Sequence, residues 1–189
     1  ALGPACAVEL LHTASLVVDD LPAMDDASVR RGRDSNHVRF GEDTAILAAI
    51  TMLSDAFGVV ARCQQLDAQC RADIVETLSR RVGMHGLAAG QHLDLRAEHD
   101  GGSAPQIERI YRLKTGALFA ASAWLGGRVL GSDSGRLDAL SEFGMEVGFA
   151  FQAYDDLADR LGSVETAGKN VGADSRKATM VAQIGRAHV

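Results

Sequence analysis

Four carboxylates crowd into eight residues, Asp19-Asp20-Leu21-Pro22-Ala23-Met24-Asp25-Asp26, and the paired arginines of Arg30-Arg31-Gly32 follow closely. Like charges a few ångströms apart repel, and each desolvated carboxylate needs a partner. Hard divalent cations supply one, because Mg²⁺ prefers oxygen ligands and binds through one or two carboxylates plus phosphate oxygens. Guanidinium groups just beyond can grip phosphate bidentately. Taken alone, the stretch also fits a solvated acidic turn before a basic segment.

A second acidic cluster, Phe151-Gln152-Ala153-Tyr154-Asp155-Asp156-Leu157-Ala158-Asp159, favours the chemical reading. On a helix Asp155 and Asp159 lie one turn apart on one face, with Asp156 beside them. An apolar, glycine- and alanine-rich run, 143–151, leads into this cluster, and Leu10-Leu11 through Leu16-Val17-Val18 leads into the first. Two buried helices that each end in aspartates are expected, forming facing carboxylate walls around a metal-filled mouth.

The elements that must carry these groups follow from periodicity and breakers. Residues 1–20 read as a helix with Val8, Leu11, Ser15 and Val18 on its apolar face. Carboxylates at its C-terminal end oppose the helix macrodipole, which again calls for cations. Residues 21–42 read as a polar loop broken by Pro22, Gly32 and Gly41, with His37 in a structural role. An apolar helix is expected over 43–65, and one continuous helix over roughly 70–96, whose Gly83, Gly86 and Gly90 admit a close neighbour at a cost of about 1 kcal/mol each. On that helix Gln91 and Asp94 share a face, and a buried polar pair bonded to arginines is one reading of them. Pro105 suits the first turn of a helix over about 105–130, in which Lys114-Thr115-Gly116 allows a kink that frees carbonyls. Lys114 lies amid Leu113, Leu118 and Phe119 and needs a partner there. A helix over 134–161 ends in the second cluster, a loop with Lys169 follows, and another helix with Lys177 begins at Asp174.

The chain resembles the trans-isoprenyl diphosphate synthases. The residues that carry the likeness are Asp19-Asp20-x4-Asp25 with Arg30-Arg31-Gly32; Phe40-Gly41-Glu42; Gly90-Gln91-x-Leu93-Asp94-Leu95; Lys114-Thr115-Gly116; Phe151-Gln152-x2-Asp155-Asp156-x2-Asp159; and Gly168-Lys169, Asp174 and Lys177-Ala178-Thr179. The four-residue spacer with Pro22 is similar to bacterial geranylgeranyl and farnesyl diphosphate synthases, and the compact Asp174-x2-Lys177 spacing is more similar to bacterial carotenoid-type geranylgeranyl diphosphate synthases. The same resemblance implies that Gln91 and Asp94 lie near the first aspartate cluster and support it. The family often has Gly-Asp where this chain has Ala49-Ile50.

The resemblance implies an all-α fold, a bundle of antiparallel helices around a central cavity, of which this chain is a part. It implies condensation of an allylic diphosphate with isopentenyl diphosphate in the cytoplasm by a homodimer. Three Mg²⁺ ions are implied, held by Asp19 and Asp25 on one wall and Asp155 and Asp159 on the other, with Asp20 and Asp156 supporting. Arg30, Lys114, Lys169 and Lys177 would bind the allylic diphosphate and Arg31 the isopentenyl diphosphate. Metals and cations would stabilise charge on the leaving group, while the Thr115 hydroxyl and the Gln152 amide oxygen face the allylic cation. Product length is implied to depend on the residues five and four positions before Asp19. These are Ala14 and Ser15, both small, so the cavity floor is open and a C20 product is expected. Farnesyl diphosphate synthesis and a non-catalytic synthase subunit are the alternatives. A terpene cyclase fits less well because the second motif is DDxxD rather than NSE/DTE.

Composition narrows the rest. A chain of 189 residues is one domain by length, and 47% hydrophobic residues with 5% aromatics suit helices packed through small aliphatic side chains. A net charge of −6 leaves no basic stripe for nucleic acid. Cys6, Cys63 and Cys70 form no CxxC pair, which suits a reducing compartment. No uninterrupted run of 18 or more apolar residues occurs, so no membrane-spanning helix is expected. By resemblance, further elements lie upstream of Ala1 and downstream of Thr179. The closing Ile184-Gly185-Arg186-Ala187-His188-Val189 is the one-frame translation of a common sequencing adapter, so the partial synthase domain is expected to span 1–183.

Overall fold

The structure is a computed structural model that describes residues 2–100 and 102–161. Its elements are α1 (Leu2–Asp19), β1 (Val29–Arg30), β2 (Arg33–Asp34), α2 (Asn36–Phe40), α3 (Glu42–Ala61), α4 (Ala68–Val82), α5 (Leu87–Asp100), α6 (Ala104–Tyr111), a π-helical turn (Arg112–Gly116), α7 (Ala117–Val129) and α8 (Ser134–Leu161). The all-α expectation holds, with one two-residue hairpin as the only sheet among the described residues. The chain divides into two compact units, Ala1–Glu76 and Thr77–Val189.

In the first unit α1 packs along α3. The buried stripe of α1 is Pro4, Ala7, Leu11, Ala14 and Val17, one residue back from the expected Val8–Leu11–Ser15–Val18 face. The reason lies in α3, which offers Ala45 and Ala49 to Val17 and Leu21. The small Ala45 and Ala49 leave room for Val17 and Leu21 to pack closely, with Val18 at the edge of the cluster. Acidic Glu42 and Asp43 in the first turn of α3 favour its N-terminus.

One expectation for this unit needs correction. The 21–42 stretch is not an unstructured loop: Arg31 (φ 53°) and Gly32 (φ 74°) form the left-handed pair that a two-residue hairpin requires, with Val29 opposite Asp34 and Arg30 opposite Arg33. Both α1 and α3 are long and apolar enough to cross a membrane, with mean hydropathies of 1.2 and 1.8. Scattered polar residues such as His12, Ser15, Thr51 and Asp55 interrupt any unbroken run, so the stricter criterion passed over both. Core helices share this composition.

The expected helix over 70–96 is broken at Gly83–Gly86 into α4, within which the division between the units falls, and α5 of the second unit; at the break Gly86 N–H bonds to Gly83 O. The expected 105–130 helix contains the π-helical turn in place of a simple kink. Its start matches expectation: Ser103 N–H donates to the Gln106 side chain at 2.8 Å with Pro105 in the first turn. The π turn is the hub of this unit, touching α5, α6, α7 and α8. Two glycines admit it. A Cβ on Gly90 of α5 would lie 2.6 Å from Lys114 Cα, and one on Gly148 of α8 would lie 2.7 Å from Gly116 Cα. The core beneath it is Ile107, Ile110 and Tyr111, against Leu93, Phe149 and Ala153.

Candidate active site

At the C-terminal end of α1 the chain folds back tightly. Asp25 N–H donates to Asp19 O at 2.9 Å, Asp26 N–H to Leu21 O and Ala27 N–H to Asp20 O, and Asp26 takes a left-handed φ of 47°. The backbone thereby brings Asp25 back beside Asp19, both half-buried. Asp20 is buried, at 3% exposure. Arg30 meets it, donating from Nε to Asp20 Oδ1 at 2.9 Å and from Nη2 to the same carboxylate. The hydrogen bond to Asp20 comes first, then the fields of Asp20, Asp19 and Asp25. Together they hold the Arg30 guanidinium above its ordinary pKa, against the opposing effect of burial. Arg31, at the hairpin tip, is exposed. His37 Nδ1 lies 3.1 Å from Ser35 Oγ, the structural role expected of it.

In the second unit the extra residue of the π turn places Lys114 and Thr115 toward different partners, a device common at functional sites. Lys114 Nζ bonds Asp94 Oδ2 at 2.7 Å, both largely buried. This answers the question left open for Asp94: its partner is a lysine, not an arginine. Thr115 Oγ1 donates to Gln152 Oε1 at 2.7 Å. Gln152 Nε2 donates in turn to Asp156 Oδ1 at 3.0 Å, and the Tyr111 hydroxyl donates to Asp156 Oδ2. Asp156 is 7% exposed while Asp155 beside it is half-buried. Asp159 falls on α8, but its side chain, like all of Lys169, Asp174, Lys177 and residues 184–189, lies outside the described residues.

The helix bearing the second cluster is not buried all round, contrary to expectation. Phe143, Val147, Phe151, Tyr154 and Leu157 form an exposed stripe at helical spacing, while Gly144, Gly148, Gln152 and Asp156 fall on the opposite side. Sequence reasoning also passed over Tyr111. The available signal was a tyrosine one turn before Thr115 and one turn after Ile107, on the apolar side of an otherwise charged helix, since a buried phenol hydroxyl usually finds a partner.

The donor set suits a hard cation. Asp19 and Asp25 offer half-buried carboxylates on one turn, and Asp155 offers another on α8. Among the described residues no three Asp, Glu, His or Cys side chains enclose a metal by themselves. Carboxylate oxygens suit Mg²⁺, which takes them together with water and phosphate oxygens.

The family description Polyprenyl synthetase matches residues 1–187. The chain belongs to the polyprenyl synthetase family. Among its relatives are the geranylgeranyl diphosphate synthase of Pantoea ananas, 43% identical over 96% of this chain, and the farnesyl diphosphate synthase of Escherichia coli, 42% identical over 96%. The chain spans 59% and 62% of those proteins' lengths. Among solved structures it is similar to a geranyltransferase of Helicobacter pylori complexed with magnesium and isoprenyl diphosphate. That likeness has a TM-score of 0.91 at 31% identity, over 98% of this chain and 62% of that one. It is also similar to a polyprenyl synthase of Caulobacter crescentus complexed with calcium and isoprenyl diphosphate, with a TM-score of 0.85 at 33% identity, over 98% and 55%.

Proposed function

We propose that the protein is a magnesium-dependent trans-prenyltransferase that joins an allylic diphosphate to isopentenyl diphosphate and releases geranylgeranyl diphosphate. The observation that carries this reading is the polyprenyl synthetase match with both aspartate motifs intact, Asp19-Asp20-x4-Asp25 and Asp155-Asp156-x2-Asp159. Asp19, Asp25, Asp155 and Asp159 would hold the metal, which supplies electrostatic stabilisation of the leaving diphosphate. The allylic C–O bond breaks with its electron pair going to the diphosphate. The isopentenyl double bond then attacks the allylic carbon, and the proton lost in restoring a double bond passes to the released diphosphate. Arg30, Lys114, Lys169 and Lys177 bind the allylic diphosphate in this scheme and Arg31 the isopentenyl diphosphate. Lys114 would exchange Asp94 for phosphate oxygens or carry both. Thr115 Oγ1 and Gln152 Oε1 supply oxygen lone pairs near the forming cation.

Product length is the finer question, since relatives of about 40% identity make either the C15 or the C20 product. The small side chains of Ala14 and Ser15, a turn before Asp19, favour C20. Ala14 is fully buried whereas Ser15 is half-buried, its hydroxyl donating to His12 O at 2.9 Å. An aromatic ring is therefore tolerated better at 15 than at 14. Association of two copies fits the exposed Ile46, Leu47 and Ile50 on α3.

The test is to graft residues 1–183 into the frames of the Pantoea ananas and Escherichia coli relatives and to supply isopentenyl diphosphate and the C10 starter geranyl diphosphate with Mg²⁺. Geranylgeranyl diphosphate from both grafts, shortened to C15 by Ser15→Phe or Ala14→Phe, is the expected outcome. Product length that follows the host frame, or is unmoved by both substitutions, overturns the assignment of length to these positions. Absence of any prenyl product overturns the function.

A further inference from the structure

Four side chains of the second unit close a cross-link between the π turn and α8. Tyr111 and Thr115 sit one turn apart on one side, and Gln152 and Asp156 one turn apart on the other. Thr115 donates to Gln152 Oε1 at 2.7 Å, Gln152 Nε2 donates to Asp156 Oδ1 at 3.0 Å, and Tyr111 donates to Asp156 Oδ2. We propose that Tyr111 is a positioning residue that, through Asp156, holds the Gln152 amide with its oxygen toward Thr115 and its nitrogen turned away. The proposal rests on the prenyl-transfer reading of this site.

The physical case concerns the two faces of a primary amide. Its NH₂ end carries two donors and its oxygen carries acceptor lone pairs, and the two ends are nearly equal in shape. Next to a forming carbocation the oxygen attracts and the NH₂ end repels, so the orientation matters. Thr115 alone cannot set it, because a hydroxyl both donates and accepts. An ionised carboxylate is acceptor-only, so Asp156 obliges Gln152 to present nitrogen to it and oxygen elsewhere. That control works only while Asp156 itself stays put. The Tyr111 hydroxyl occupies its second oxygen, and the tyrosine ring is in turn fixed by burial at 5% exposure and by Phe149, 5.8 Å away between ring centroids. Nothing in this chain of contacts requires Tyr111 to touch substrate.

The grafted enzyme carries the test. Tyr111→Phe removes one hydroxyl and keeps the ring. It should lower kcat about tenfold, the scale of one lost hydrogen bond, with KM for both diphosphates within about twofold. It should also raise the fraction of allylic substrate released as prenyl alcohol, since a misdirected amide leaves the cation to water. Phe149→Leu loosens the same ring without touching the hydroxyl. It should lower the melting temperature and raise the alcohol fraction by much less than Tyr111→Phe does, because the hydroxyl that Asp156 accepts from is still present. An unaltered alcohol fraction in Tyr111→Phe, or an equal rise in Phe149→Leu, overturns the proposal. If Tyr111→Phe does not fold, the near-isosteric Asp156→Asn, which lets the amide sit either way round, is judged by the same two readouts. An unsubstituted graft that forms no prenyl product overturns the functional reading itself, a result distinct from an active graft indifferent to Tyr111.

Discussion

Two Asp-Asp pairs open the aspartate motifs of this chain, Asp19-Asp20 at the end of α1 and Asp155-Asp156 near the end of α8, and they are built alike in outline and differently in chemistry. In each, the first aspartate is half-buried and the second is sequestered: Asp20 at 3% exposure and Asp156 at 7%. Asp20 is held by a cation, Arg30, which reaches it across a two-residue hairpin. Asp156 is held by neutral donors, the Tyr111 hydroxyl and the Gln152 amide. The charged anchor ties the hairpin to a helix end, where macrodipole and like charges work against the carboxylates. The neutral anchor sits in a packed helical core, where a second full charge would be costly to desolvate. The same dipeptide thus takes the partner that its surroundings can accommodate.

That contrast can be broken most directly by removing each buried aspartate in the grafted enzyme and measuring urea unfolding. Asp20→Ala strands the Arg30 cation. It should cost about 2–3 kcal/mol, below the value for fully buried pairs because the guanidinium keeps 33% of its side-chain surface exposed. Asp156→Ala strands only neutral donors and should cost about 1–2 kcal/mol. Equal losses, or the reverse order, would remove the distinction between charged and neutral anchoring.

Gly90→Ala sharpens the picture of the second unit. Its new methyl would lie 2.6 Å from Lys114 Cα, so the π turn must shift. A loss of about 1–3 kcal/mol with impaired turnover is expected, and an unchanged melting temperature would show that the turn does not depend on this close approach. Gly32→Ala should have the smallest effect. Nothing lies within 4 Å of the added carbon, and only the positive φ of 74° is strained. The expected loss is about 1 kcal/mol; a much larger loss would mean that the hairpin supports Asp20 more strongly than its single ion pair implies.

Much of the fold was legible beforehand. Helix periodicity located α1, α3, α7 and α8 within a few residues, and Pro105 marked the start of α6. The break at Gly83–Gly86 was passed over because three glycines at helical spacing read equally well as a packing groove. The hairpin at Arg31-Gly32 was passed over because arginine is an uncommon residue at a left-handed position. Thr115 and Gln152 were chosen independently of each other, and the structure joins them by a hydrogen bond.

By itself the sequence determined which residue types stand at helix ends, the spacing of the aspartates and the family to which the motifs belong. These follow from local periodicity and from residues within a turn or two of each other. Only the tertiary structure decided which aspartate of each pair is buried and what holds it there. Asp20 meets Arg30 ten positions away and Tyr111 meets Asp156 forty-five away. A partner at that separation is chosen by packing between elements, which no local pattern encodes.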